Sequence, residues 1–212
     1  MSQDLISLFS ASFVTFFVLV DALGVAPVFA SMTAPGGPAY SRKMAVKSVF
    51  VATIIVFAFA FGGSWLLEKM HISIDAFRAA GGLLLFLIAL DMVFEKRTER
   101  REHRAETHMA EHAMEDISVF PLGIPMLAGP GTIATAMLYM SNSSNFAEQG
   151  VVLAAFALNM VICLAMFLLA GPLVRMMGDS VAGGLTRILG VILAALSVQL
   201  LIDGIKGAFN LG

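Results

Sequence analysis

Cysteine appears once in the 212 residues, as Cys163 in an apolar run, so no internal disulfide can form and redox compartment is not written in this chain. Charge is scarce as well: Asp, Glu, Lys and Arg make up 13% of the residues, too few to cover a soluble domain of this length. The net charge of −2 lacks the basic excess that a nucleic-acid partner would require. All four histidines, His71, His103, His108 and His112, fall outside the long apolar runs. An enzyme working at membrane depth needs a cluster of His, Cys, Asp or Ser there, so no catalytic residue, metal or cofactor is expected. The opening MSQDLISLFS has no basic stretch and no small-residue cleavage site, and the first apolar run is therefore expected to stay as a span.

What the chain has is apolar length. Hydrophobic residues are 58% of the total and the mean hydropathy is +0.88. A helix rising about 1.5 Å per residue needs about 20 apolar residues to cross a hydrocarbon core about 30 Å thick. Six runs meet that length, at 5–33, 45–67, 74–94, 117–140, 150–177 and 182–208. Six crossings place both termini on one side. The loops and span ends on the other side hold Arg42, Lys43, Lys47, Lys96, Arg97, Arg100, Arg101, Arg104, Arg175 and Arg187, ten of the thirteen Lys and Arg. The excess of positive charge marks that side as cytoplasmic and sets both termini outside.

The third and sixth runs begin alike. Arg78 precedes Gly81 as Arg187 precedes Gly190, and each helix closes near an aspartate, Asp91 or Asp203. The first run contains VDALGVAPVF and the fourth FPLGIPMLAGPG, which pair loosely through a Gly-Val or Gly-Ile and a following proline. The implied fold class is an all-α membrane protein of six transmembrane helices. They form two inverted-topology three-helix repeats, 1–94 and 117–212, joined by a charged cytoplasmic loop at 95–116, with the first helix of each repeat broken.

Proline removes a backbone donor and glycine loosens the backbone, so Phe120–Ile133, with three of each, is expected to unwind around Gly129, Pro130, Gly131 and Thr132. Freed N–H and C=O groups are tolerated in a bilayer only when buried in protein or facing a cavity. A half-helix N-terminus suits a carboxylate and a C-terminus suits a cation, so two such breaks could hold both ends of a zwitterion. The second break is expected near Asp21, Gly24 and Pro27. Asp21, some sixteen residues into its run, is the candidate to couple a proton or sodium ion, with a helix-breaking cap as its alternative role. Arg78, Asp91, Asn159, Arg187 and Asp203 are further gating or coupling candidates. Arg78 and Arg187 could equally snorkel to headgroups, and Asn159 could serve helix packing alone.

The loop EKRTERREHRAETHMAEHAMED reads as a solvated, partly helical linker. Within it His108 and His112 fit an H-x-x-E-H pattern, but without a third ligand or a soluble domain to shape a site it reads as linker.

VDALGVAPVF, AFRAAGGLLLFLIALDMVF, ISVFPLGIPMLAGPGTIAT and LTRILGVILAALSVQLLIDGI together resemble the MarC family of bacterial inner-membrane proteins, which includes SnatA-type transporters of small neutral amino acids. The resemblance runs from Leu5 to Ile205. It implies six helices in two inverted repeats and proton-coupled transport of glycine, alanine and similar amino acids. In this chain Ala22 follows Asp21 where family members often carry proline, which predicts a softer first break. The expected partners are the lipid bilayer, a small zwitterionic amino acid and a coupling ion, with self-association left open. The rival readings are a channel, which would prefer a continuous polar lining, and a non-transporting scaffold.

Overall fold

The structure is a computed structural model and describes residues 2–94, 100–103 and 116–209. The described residues are helical, with no strand among them. In chain order they form α1 (Ser2–Val20), α2 (Ala22–Thr33), a short 3-10 turn (Ala34–Gly36), α3 (Gly37–Lys69), α4 (Ile74–Val93), an irregular wide-turned segment α5 (Ser118–Leu127), α6 (Pro130–Asn142), α7 (Phe146–Leu168) and α8 (Ala170–Phe209). The His108 and His112 pair lies outside the described residues.

Local chemistry sets the element ends. Gly37 takes φ 71°, a conformation costly for any residue with a Cβ, and Pro38 then opens α3 where no backbone donor is needed. Ser73 caps α4 by accepting from the Ala76 N–H at 3.1 Å. Asn145 and Glu148 cap α7 reciprocally: Asn145 Oδ1 accepts from the Glu148 N–H at 3.0 Å, and Asn145 Nδ2 donates to Glu148 Oε1 at 2.8 Å. In α5 the residues before two prolines, Phe120 (φ −126°, ψ 132°) and Ile124 (φ −126°, ψ 127°), are extended. A proline pushes its predecessor out of the helical region. The ladder survives as wide turns, in which the Leu122 N–H donates to Ile117 O at 3.3 Å and the Ala128 N–H to Gly123 O at 2.9 Å.

Helix boundaries depart from the sequence expectation most around the fifth and sixth runs. The run expected at 150–177 stops at Leu168, because Gly171 and Pro172 are better placed in the first turn of α8, where proline's missing N–H costs little. The first run breaks at Asp21, one of the three positions expected, while Gly24 and Pro27 stay within α2. Four helical stretches among the described residues are long and apolar enough to cross a membrane, at 4–69, 74–93, 146–168 and 183–209. The pair α5 and α6, bent by 58°, makes a fifth.

Lipid tails are as apolar as leucine, so helices in a bilayer associate through close packing and polar contacts, not by escape from water. The closest approach joins α4 to α8. A Cβ on Gly82 would lie 2.7 Å from the Leu201 backbone N, and one on Gly204 would lie 2.8 Å from Asp75 O. The second half of α1 and most of α2 are buried in the protein, with Phe16 edge-on to Phe156 at 5.1 Å and Phe29 stacked on Phe167 at 4.2 Å. The outer faces carry Phe50, Phe61, Trp65, Leu83, Leu87, Ile188 and Val191, all exposed, as a lipid-facing surface requires. The break between α1 and α2 therefore lies in protein and not against lipid.

Candidate functional site

Asp21 sits at that break in the left-handed region, φ 49° and ψ 54°. Such a backbone costs about 1–2 kcal/mol for a residue with a Cβ, and least for Asn and Asp, whose short side chains bond locally. Here the carboxylate bonds locally: Oδ1 accepts from the Gly24 N–H at 3.2 Å and caps α2. Gly24 has to be glycine in this arrangement, since a Cβ would fall 2.9 Å from the Asp21 carboxyl carbon and closer still to its oxygen. The alternative role considered for Asp21, a cap, is thus realised.

Asp21 is also an ion-pair partner. Its side chain is 0% exposed, and Oδ2 accepts from Arg101 Nη1 at 2.8 Å; the Arg101 side chain is 4% exposed. Thr186 Oγ1 of α8 adds a long donation to Asp21 Oδ1 at 3.4 Å. Arg101 comes from the short helical turn at 100–103, inside the segment read as solvated linker. It is not solvated: the guanidinium is drawn in because a buried carboxylate without a counter-charge is prohibitively costly. Arg100 stays nearer the surface and pairs with Asp91 at the end of α4.

The two arginines border a cavity of about 250 Å³. Its other walls are Leu19 of α1, Ile88 and Asp91 of α4, Pro125 and Met126 of α5, and Gly129, Pro130, Gly131 and Thr132 at the start of α6. Gly129 is extended (φ −73°, ψ 165°), and no side chain caps α6. The first bond of α6 runs from the Ile133 N–H to Gly129 O at 3.0 Å. That leaves the N–H groups of Gly131 and Thr132 without an intrahelical acceptor, because Pro130 occupies the first position and each helix start has such orphan donors. What space there is depends on the glycines holding no side chain: a Cβ on Gly131 would come 2.7 Å from Ile88 Cδ1.

Of the residues singled out in the sequence, Asp91, Gly129, Pro130, Gly131 and Thr132 line this one cavity, and Asp21 stands behind Arg101. Gly24 and Pro27 do not line it; Gly24 is packed under the Asp21 carboxylate and Pro27 lies within α2. Arg78 bonds Asp75 Oδ1 at 2.9 Å and Asn142 Oδ1 at 2.5 Å, tying the start of α4 to the end of α6. Asn159 donates to Phe13 O at 3.1 Å and to Ala155 O at 2.9 Å, a link between α7 and α1. Asp203 accepts from Gln199 at 2.8 Å on α8, and Arg187 is exposed there. A smaller cavity of about 120 Å³ lies between α1, α6 and α8, lined by Thr15, Thr135, Tyr139, Asn142 and Gln199, with Thr15 Oγ1 and Tyr139 OH 3.1 Å apart.

Sequence reasoning missed Arg101 and Thr186. The available signal was electrostatic. Asp21 is a carboxylate deep in an apolar run with no basic residue in the neighbouring runs at its depth, so its partner had to be borrowed from a charged segment. Outside the spans, the Asp116 carboxyl is held down to about 2 by its bond to Lys47 and by the Ser118 hydroxyl and N–H, which fastens the start of α5 to α3.

An all-helical chain with several apolar crossings, a helix broken inside the protein and a polar cavity at a second break is an integral, multi-pass membrane protein. It belongs to the MarC family of integral membrane proteins, which it matches over residues 6–209. It is 37% identical over 204 residues to the UPF0056 membrane protein MJ1677 of Methanocaldococcus jannaschii, covering 94% of this chain and 97% of that one. It is 34% identical over 198 residues to the UPF0056 membrane protein YhcE of Escherichia coli, covering 93% and 91%. No solved structure matches the chain.

Proposed function

We propose that the protein is a secondary transporter of small neutral amino acids such as glycine and alanine, proton-coupled and working by alternating access, and that it is a carrier and not an enzyme. The observation that carries this reading is the cavity at Gly129–Thr132. It combines the uncapped N-terminus of α6 with Asp91 and Arg101 in about 250 Å³, below the range of about 300–1,000 Å³ usual for drug-sized ligands. Uncapped backbone beside a polar cavity at membrane depth is the arrangement by which broken helices hold amino acids and ions in transporters. The glycine walls favour a substrate with little or no side chain.

The proposal includes six crossings in two inverted three-helix repeats. In its favour, the stretch 4–69 is long enough for two crossings at 1.5 Å per residue and is interrupted at Asp21 and at Gly37, which with the other three stretches and the bent pair makes six. A helix break also occurs in each half. Asp21 is the coupling residue in this reading: a proton on its carboxylate removes the charge that holds Arg101 in place, which links protonation to the wall of the substrate cavity. The proposal includes a location in the bacterial inner membrane, and the charge distribution supports both termini outside.

The test is uptake of labelled glycine and alanine by proteoliposomes holding folded, inserted protein. Saturable uptake driven by a pH gradient, with the gradient dependence reduced in Asp21→Asn, is expected. No saturable uptake of any small neutral amino acid would sink the assignment.

A further inference from the structure

Arg101 is bonded on one side only. Nη1 serves Asp21, while Nη2 is buried and has no hydrogen-bond partner among the described residues. The residue also lines the cavity. A guanidinium is a rigid fork of five donors, so when Asp21 fixes Nη1 the direction of Nη2 is fixed too. Burying a charged donor unpaired is costly, and natural structures rarely leave one so without a ligand to answer it. The same cavity is lined by the start of α6, where Gly131 and Thr132 present N–H groups that no side chain caps.

We propose that Arg101 Nη2 and the Gly131 and Thr132 N–H groups together form a carboxylate-binding site, with Asp21 as the positioning residue that aims the guanidinium. The ligand is a small carboxylate that also carries a cation, because Asp91 and Asp21 already balance the two arginines at the cavity, and a plain anion such as phosphate would add charge that nothing there offsets. The identity of the ligand as an amino acid rests on the transport reading above; the carboxylate site itself does not. Two cationic elements then meet one carboxylate, and the bidentate geometry of arginine is what allows a single side chain to serve Asp21 and the ligand at once.

This division of labour predicts how a lysine would behave at position 101. A single ammonium group can satisfy Asp21 but has no second arm. Binding of labelled glycine to purified protein in lipid nanodiscs should weaken about 10-fold or more in Arg101→Lys, with the unfolding temperature close to the parent's. In the parent protein, glycinamide, which keeps the ammonium and loses the carboxylate, should not displace glycine; this arm needs no variant and stands even if Arg101→Lys folds poorly. Equal glycine affinity in folded Arg101→Lys, effective competition by glycinamide, or tighter binding of inorganic phosphate than of glycine would each overturn the site. Proteoliposome uptake separates the two proposals. Uptake unchanged in Arg101→Lys refutes the arginine site and leaves transport standing, whereas Arg101-dependent glycine binding without uptake refutes transport and leaves the site. Folded parent protein that neither binds nor takes up glycine or alanine refutes both.

Discussion

Replacing Arg101 with methionine would strand the Asp21 carboxylate, whose side chain is 0% exposed and whose remaining donors are the Gly24 N–H at 3.2 Å and the distant Thr186 hydroxyl at 3.4 Å. Breaking one half of a buried ion pair costs about 3–5 kcal/mol, because the surviving charge stays desolvated. Asp21→Asn strands Arg101 instead and should cost a similar amount, though the asparagine oxygen can still accept from Gly24 and keep the α2 cap. The double variant Asp21→Asn with Arg101→Met has no charge left to desolvate, and neutral replacement of buried pairs is often close to harmless. It should therefore recover to within about 1–2 kcal/mol of the parent, giving a coupling energy of several kcal/mol across the cycle. Reversible unfolding of the four proteins in mixed micelles, followed by circular dichroism, measures all the corners. Single variants that each fall within about 0.5 kcal/mol of the parent, or a double variant whose loss is the plain sum of the two, would refute the claim that this pair is buried and mutually dependent.

Three further outcomes follow from contacts elsewhere. Gly82→Ala places a Cβ 2.7 Å from the Leu201 backbone N and 2.8 Å from Ser197 O, neither of which can turn aside; α4 and α8 must part, at a cost of about 1–3 kcal/mol in the same unfolding assay. Asn159→Leu removes the donations to Phe13 O and Ala155 O and should lower stability by about 0.6–1.7 kcal/mol while leaving the KM for glycine uptake unchanged, as befits a packing residue. Asp116 has its folded pKa lowered from 3.8 to about 2, so the stability it lends is present above about pH 4 and disappears as pH falls toward 2. Because Lys47 and Asp116 are nearly half exposed, that loss should stay under about 1 kcal/mol and should shrink in Lys47→Met, where only the Ser118 bonds remain, which pH-dependent unfolding of the two proteins would check.

Much of this molecule can be read from residue order alone. The third apolar run was expected at 74–94 and the helix spans Ile74–Val93, because Ser73 and Asp75 mark its start and an unbroken apolar stretch carries it to the end. The break before α6 was legible at Gly129 and Pro130, since proline and glycine act through their own backbones and need no distant partner. At Asp21 the next residue is Ala22 and not proline, and the break is made by other means, a side-chain cap and a buried counter-ion. Arg101 itself was illegible. It is 80 residues from Asp21, in a run of mixed charge whose composition suits water, and no local pattern distinguishes it from Arg100, which stays exposed. The rule that would have found it is a balance of buried charge over the whole chain, not a motif.

The two helix breaks are chemically unlike. One is closed by the side chain of Asp21 with Arg101 upon it, and the other, at Gly129, offers bare backbone with no side chain upon it. A molecule in the cavity meets the guanidinium that Asp21 aims together with the bare N–H groups of α6, and so has one preferred heading, as a key has a bow and a bit.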